Sequence, residues 1–419
     1  MKLNGIFKDD MVFQSDKEIR VFGSADGERD IDISCVICDS DGKVISEGKT
    51  HRIEDGGSFL IKLPAVSAGG PYRLVVSSEE RNEKICLERI YIGEVWIAGG
   101  QSNMEYPLIR SDRARDVIGA LAKTNIHFYK VPVFGDLNEE QAASEAGSTW
   151  KVIDKDTCGD MSAVAFYFAR KVLERLDRED LHIGIVGCYL GGTSVSSWQS
   201  TDTLKKVPEG IRYIDEFNEK IKGISEEDYI ISKRKYDEEC EAYNRRLEAL
   251  LNEDPYISYI EADRILGPGA WPPPTGPLDE RRPGALFNAM VLRITPFSSR
   301  GVIFYQGETD AEDHENDYSV VFANMIKEWR EVFLDDKLPF VFCQLPMYSS
   351  SIPALKAEIE TKWAILRSQQ QIVADTVPYT SQVILTDCGE VDNIHPSEKR
   401  TPGERLAEAA LISVYGIGN

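Results

Sequence analysis

IYIGEVWIAGGQSNME (90–105) decides how this chain is read. Its first half is a nearly continuous run of apolar and β-branched residues, as expected of a strand buried on both faces. The run stops at Gly99-Gly100, where small residues allow a sharp turn that exposes Ser102 above the strand end. A serine hydroxyl is a weak nucleophile until a neighbouring base takes its proton. At such a turn the backbone N–H after the strand can also face an incoming carbonyl oxygen. The plainer role for Ser102 is to cap the helix that follows.

Downstream, apolar strand runs alternate with amphipathic helices. The strand candidates are HIGIVGC (182–188), GVIFYQG (301–307), PFVFCQL (339–345) and SQVILTD (381–387); the helices include 161–176, 318–333 and 354–373. This alternation predicts an α/β fold with a parallel sheet covered by helices on both faces, and such sheets bind ligands at the carboxyl ends of their strands. A charged segment over 212–252, with Tyr236, Cys240, Tyr243, Leu247 and Leu251 at helical spacing, predicts a surface helix. The proline-dense GPGAWPPPTGP (267–277) excludes a helix and predicts an extended loop. Together they form a helical, Pro-rich insertion at about 204–280 within a domain spanning 90–419.

Upstream, residues 1–89 read differently. Short strand runs such as EIRVFG (18–23), SFLIKL (58–63) and YRLVVSS (72–78) are separated by turn clusters including ADGERD (25–30) and EDGG (54–57). No helical period occurs there, so a separate all-β sandwich domain is expected.

A net charge of -22 disfavours nucleic acid and anionic membrane surfaces as partners. No window approaches the roughly 20 apolar residues of a membrane span. Acidic residues interrupt the first twenty positions before any signal-peptide core, and eight scattered cysteines read as reduced thiols, so a cytoplasmic location is expected. Cys35 and Cys38 form a lone CxxC in a strand-like run, where residues three apart face opposite sides; no metal or cofactor is called for.

The second chemical motif is DNIHP (392–396), between the last strand and the last helix. Asp392 and His395 are three residues apart, so in one turn the carboxylate can fix the imidazole while its other nitrogen points outward. Thr401 to Glu404 has the pattern of a capping box opening the final helix. GCYLGGTSVSSW (187–198) and FYQGETDAE (304–312) follow two other strands and supply candidate oxyanion donors. Met104 stands where a GxSxG elbow has its last glycine, which argues against the α/β-hydrolase fold.

With GGPYRLVV (69–76), MSAVAFYFAR (161–170), GGTSVSSW (191–198), LFNAMV (286–291), YQGETD (305–310) and DNIHP in this order, the chain resembles the sialate O-acetylesterase family of SGNH hydrolases, related in its motifs to carbohydrate acetyl esterases acting on xylan. The resemblance implies a flavodoxin-like SGNH sheet and a catalytic triad of Ser102 as nucleophile, His395 as base and Asp392 as orienting acid. It further implies an oxyanion hole from the N–H groups of Ser102 and Gly192 with the side chain of Gln306. Gln101, Asn103 and Glu308 are auxiliary groups, and Glu308 is an alternative to Asp392. The expected activity is hydrolysis of an O-acetylated sugar through an acetyl-enzyme, with sialic acid first and a xylan-type glycan second. Arg281 and Arg282 are candidates for a substrate carboxylate and Trp271 for a sugar ring, although a solvated insertion loop is the favoured reading for all three. A noncatalytic glycan-binding protein and a lipid or thioester hydrolase are the competing functions.

Overall fold

The computed structural model describes residues 1–25, 31–51, 57–134, 145–350 and 352–418. Most of the turn ADGERD and three residues of EDGG lie outside them.

The strand Glu83–Gly100 organises the molecule. Its first part pairs antiparallel with Gly69–Ser78, and from Glu94 onward it lies between Ile183–Tyr189 and Gly301–Tyr305, parallel to both. The boundary drawn at residue 90 therefore falls inside one continuous strand. Every residue from Ile92 to Gly100 is buried, as the uninterrupted apolar run demands.

Going outward, Phe340–Cys343 and Thr380–Val383 extend the sheet on one side, and Ile126–Lys130 followed by the short antiparallel Lys151–Val152 extends it on the other. Setting those last two edge strands aside, the remaining five are arranged 2-1-3-4-5, the flavodoxin-like order. The result is a mixed sheet flanked by helices. Ala163–Leu176 and Arg400–Ser413 pack together, and Trp96 meets Phe168 edge-on at 4.9 Å. On the helix Tyr318–Val332, Phe322 stacks on Phe304 of the sheet at 5.2 Å. In this order the chain leaves Glu83–Gly100 and Gly301–Tyr305 in opposite lateral directions, and a crevice opens beyond their carboxyl ends. Ser102 and Gln306 follow those two ends directly.

The N-terminal strands form a three-stranded sheet of Lys2–Leu3, Ile19–Ser24 and Ser58–Leu63, while Ile33–Cys38 joins Val44–Thr50 and Gly69–Ser78. Cys35 is buried and Cys38 lies on the opposite face, as strand alternation requires. The insertion includes Pro208–Lys220, a turn at Gly223, the 28-residue helix Glu226–Glu253, opened by a capping box of Ser225 and Asp228, and the helix Tyr259–Leu266. No helix among the described residues is long and apolar enough to cross a membrane.

At the opposite end of the sheet, His127 joins the N-terminal segment to the core. Its Nδ1 lies 2.6 Å from the Asp10 carbonyl oxygen and its Nε2 lies 2.8 Å from His182 Nδ1. A carbonyl only accepts, so Nδ1 of His127 carries the proton, Nε2 accepts from His182, and both rings are neutral. Burial lowers both pKa values to about 4, with the neighbouring imidazole adding to the shift at His127. Because the unfolded chain takes up these protons near pH 6.5, the stabilisation is complete above that pH and is lost as pH falls toward 4. For fully buried His127 the loss approaches about 3 kcal/mol. Urea midpoints measured from pH 7 to pH 4.5 should fall less steeply in His127→Gln, which keeps a donor for Asp10; equal slopes would remove the pair from the acid response.

Candidate functional site

The turn after Glu83–Gly100 is set by contact between two strand ends. Gly100 has φ +135°, and a Cβ there would lie 2.1 Å from the Tyr305 carbonyl oxygen. The Gln101 N–H donates to that same oxygen at 3.1 Å. The single helical turn Ser102–Glu105 follows, and Gln101 rather than Ser102 occupies the N-cap position. The Ser102 hydroxyl is therefore left for another partner. That partner is His395, whose Nε2 lies 2.8 Å from Ser102 Oγ across 293 residues of sequence.

His395 sits in a turn built by Asn393. The Asn393 side chain accepts from the His395 N–H and donates to the His395 carbonyl, both at 3.0 Å. It also donates to Glu390 at 2.9 Å, and Glu390 accepts the Ser397 N–H. Asp392 takes no part in this clamp. Its carboxylate is exposed, and among the described residues no hydrogen bond joins it to the imidazole. The expected orienting bond is absent because Asn393 fills the inside of the turn. Desolvation, with the charge of Lys399, lowers the His395 pKa from its ordinary value.

Asn103, Glu308 and Lys399 form a buried chain beside Ser102. Glu308 Oε1 accepts from Asn103 Nδ2 at 2.5 Å, and Lys399 Nζ donates to Asn103 Oδ1 at 2.6 Å. Asn103 Nδ2 also donates to the Ile394 carbonyl at 3.0 Å, tying the nucleophile turn to the histidine turn. Glu308 Oε2 is buried with no partner among the described residues, and desolvation raises the Glu308 pKa. Glu308 thus acts on the histidine turn through Asn103, not on the ring.

The Gly191-Gly192 turn lies against Ser102: a Cβ on Gly191 would be 3.3 Å from Ser102 Cβ. Glu105 accepts the Gly191 N–H at 2.8 Å, and Gly192 has φ +71°, a conformation that favours glycine. Gln306 braces this turn. Its Nε2 donates to Thr193 O at 3.0 Å, to Gln101 Oε1 at 3.2 Å and to Asp310, while Tyr318 donates to its Oε1 at 2.9 Å. With both N–H groups taken up internally and 1% of the residue exposed, the Gln306 side chain is not an open oxyanion donor. Asp310 completes the brace, accepting from the Val195 N–H at 3.0 Å and the Tyr213 hydroxyl at 2.7 Å.

The insertion reaches this turn as well. Arg281 Nε donates to the Gly191 carbonyl at 3.1 Å, and a Cβ on Gly192 would meet the Trp271 ring at 2.3 Å. Tyr236 on the long helix donates to the Ala270 carbonyl at 3.1 Å and fixes the segment that carries Trp271. Trp271 and Arg281 therefore border the site, contrary to the favoured reading of a loop in solvent. Arg282 turns back to donate to the Asp279 carbonyl at 2.9 Å.

Residues 275–412, which include Glu308 and His395, match the family model for carbohydrate esterase, sialic acid-specific acetylesterase. The sialate O-acetylesterase of Mus musculus is 23% identical over 90% of this chain and 67% of its own length. That of Homo sapiens is 22% identical over 90% of this chain and 64% of its own length. A solved carbohydrate acetylesterase from Xanthomonas citri superposes with a TM-score of 0.69 at 25% identity, over 99% of this chain and 76% of the other. These matches make the chain similar to the sialate O-acetylesterase family and support that assignment. The same similarities support a carboxylic ester hydrolase. The chain spans about two thirds of the length of these mammalian family members. Ser102 lies outside the segment that the family model covers, so its pairing with His395 rests on the geometry above.

Proposed function

We propose that this chain is a serine esterase that removes acetyl groups from an O-acetylated carbohydrate through an acetyl-enzyme on Ser102. The observation that carries the reading is the 2.8 Å contact between Ser102 Oγ and His395 Nε2 at the switch point of the sheet. Ser102 Oγ attacks the acetyl carbonyl as its proton passes to His395 Nε2. The oxyanion accepts from the backbone N–H groups of Ser102 and Gly192, each contributing about 2.7–4 kcal/mol by comparison with deleted donors elsewhere. Collapse breaks the bond to the sugar oxygen, which takes the proton from His395. Water then attacks the acetyl-serine, with His395 again the base, and acetate leaves.

Asp392 makes no hydrogen bond to the ring; Asn393, held by Glu390, fixes the backbone that carries it. The family model and the mammalian relatives favour acetylated sialic acid as the sugar, whereas the Xanthomonas citri relative supports a carbohydrate ester in the broader sense. The choice between them turns on the cleft beside Gly192.

The reading is tested by mixing the protein with 4-nitrophenyl acetate and, separately, with a fluorophosphonate, then mapping the adduct by mass spectrometry. Hydrolysis with a single adduct on the Ser102 peptide is expected. An unreactive protein would leave a glycan-binding role, and an adduct on another serine would sink the site.

A further inference from the structure

Beside Gly192 opens a cleft of about 320 Å³ between the insertion and the sheet. One wall is Trp271, 65% exposed and backed by prolines 272 and 273. An exposed tryptophan face offers a flat apolar surface to the C–H face of a sugar ring. Charge distinguishes the sugars that fit. Four carboxylates line the cleft, Glu216, Asp279, Glu312 and Asp313, against two permanent cations, Lys220 and Arg281. Each cation already faces a carboxylate. Arg281 pairs with Glu280 at 2.8 Å while its Nε holds the Gly191 carbonyl, and Lys220 faces Asp313 at 3.5 Å. His314 is likewise held, with Nε2 3.3 Å from Glu216 and Nδ1 3.6 Å from Asp317. A sugar carboxylate entering here would meet an excess of negative charge within a Debye length, in a protein whose net charge is -22.

Resting on the esterase reading above, we infer that the cleft formed by Trp271, Gly192 and the acidic wall of Glu312 and Asp313 is a subsite for an uncharged acetylated pyranose, and that it discriminates against acetylated sialic acid. Trp271 stacks on the ring and presents the ester to Ser102, while the acidic wall repels an anionic sugar and accepts hydrogen bonds from the hydroxyls of a neutral one.

The test compares kcat/KM for an acetylated methyl xyloside and for 9-O-acetylated N-acetylneuraminic acid, each divided by that for 4-nitrophenyl acetate. The neutral sugar should be preferred by about tenfold or more, with the sialic ester gaining as salt screens the wall. The double variant Glu312→Gln, Asp313→Asn should narrow the preference. Trp271→Ala should lower the ratio of xyloside to nitrophenyl ester by about tenfold. A preference for the sialic ester, or ratios unmoved by both variants, would overturn the subsite. If the double variant does not fold, salt dependence and Trp271→Ala still decide. Loss of nitrophenyl ester hydrolysis itself would count against the esterase reading and not against this one.

Discussion

Ser102→Ala and His395→Ala should each lower kcat for an acetyl ester by about ten-thousandfold, whereas Asp392→Asn should lower it by less than about tenfold. The first two remove the proposed nucleophile and base, which the geometry brings within hydrogen-bond distance of each other. What remains comes from the backbone N–H groups, which neither substitution touches, so combining the two should cost little more than either alone. The third expectation departs from a hydrogen-bonded triad, in which an amide in place of the carboxylate would impose the wrong imidazole tautomer. Here the turn around Asn393 fixes the ring through the backbone of His395, and Asp392 lies in solvent. The pH dependence has a definite sign. The base must be neutral to act, and desolvation and Lys399 lower its pKa, so the acid limb of kcat/KM should fall below the ordinary histidine value of about 6.5. A thousandfold loss in Asp392→Asn, or an acid limb above 7, would restore a direct carboxylate partner and refute the arrangement.

The parts legible from the sequence were those with a period or a turn signature. An apolar run ending in two glycines placed Ser102 at a strand end, because few other structures satisfy both features. The proline-dense stretch at 267–277 was legible as an extended loop for the same reason. Its position over Gly192 was not, since that depends on how Tyr236 and Arg281 dock, and neither contact leaves a local trace. The spacing of Asp392 and His395 suggested a pair, yet three residues of separation allow a turn in either sense, and Asn393 decided it. Thr401 and Glu404 had the pattern of a capping box, but the helix already begins at Arg400, and the Thr401 N–H is taken by Glu398 at 2.9 Å. Gln306 was read as a donor from its place after a strand. The fold brings Thr193, Gln101 and Asp310 to compete for its two N–H groups, a convergence with no local trace. Lys399 was missed altogether, because lysine is almost never fully buried unless paired and a sequence cannot show the pairing.

Lys399→Met should destabilise the fold by about 3–5 kcal/mol, and adding Glu308→Gln should recover part of that loss. Lys399 is 1% exposed, its Nζ on Asn103 Oδ1 and 4.7 Å from the centre of the Tyr106 ring. Desolvation pushes its pKa down to about 7, against the pull of Glu308 and Glu398. A buried cation held this way is costly, and it persists because the buried Glu308 carboxylate on the far side of Asn103 would otherwise stand alone. Removing the lysine leaves that carboxylate uncompensated, so Glu308 should take up a proton and stability should become more sensitive to rising pH. Removing both charges leaves a neutral chain of amides, which buried sites tolerate well. The double-mutant cycle, read as urea midpoints at pH 7, should therefore be strongly non-additive. Activity should follow a different course. Even in the stable double variant, Asn103 loses the cation that fixes its carbonyl, and with it the constraint on Ile394 beside His395. Stability should thus return while kcat stays depressed and the acid limb moves to higher pH, since a positive charge near the imidazole is gone. Strict additivity of the two substitutions, or full recovery of kcat with stability, would show that Lys399 and Glu308 are not coupled through Asn103.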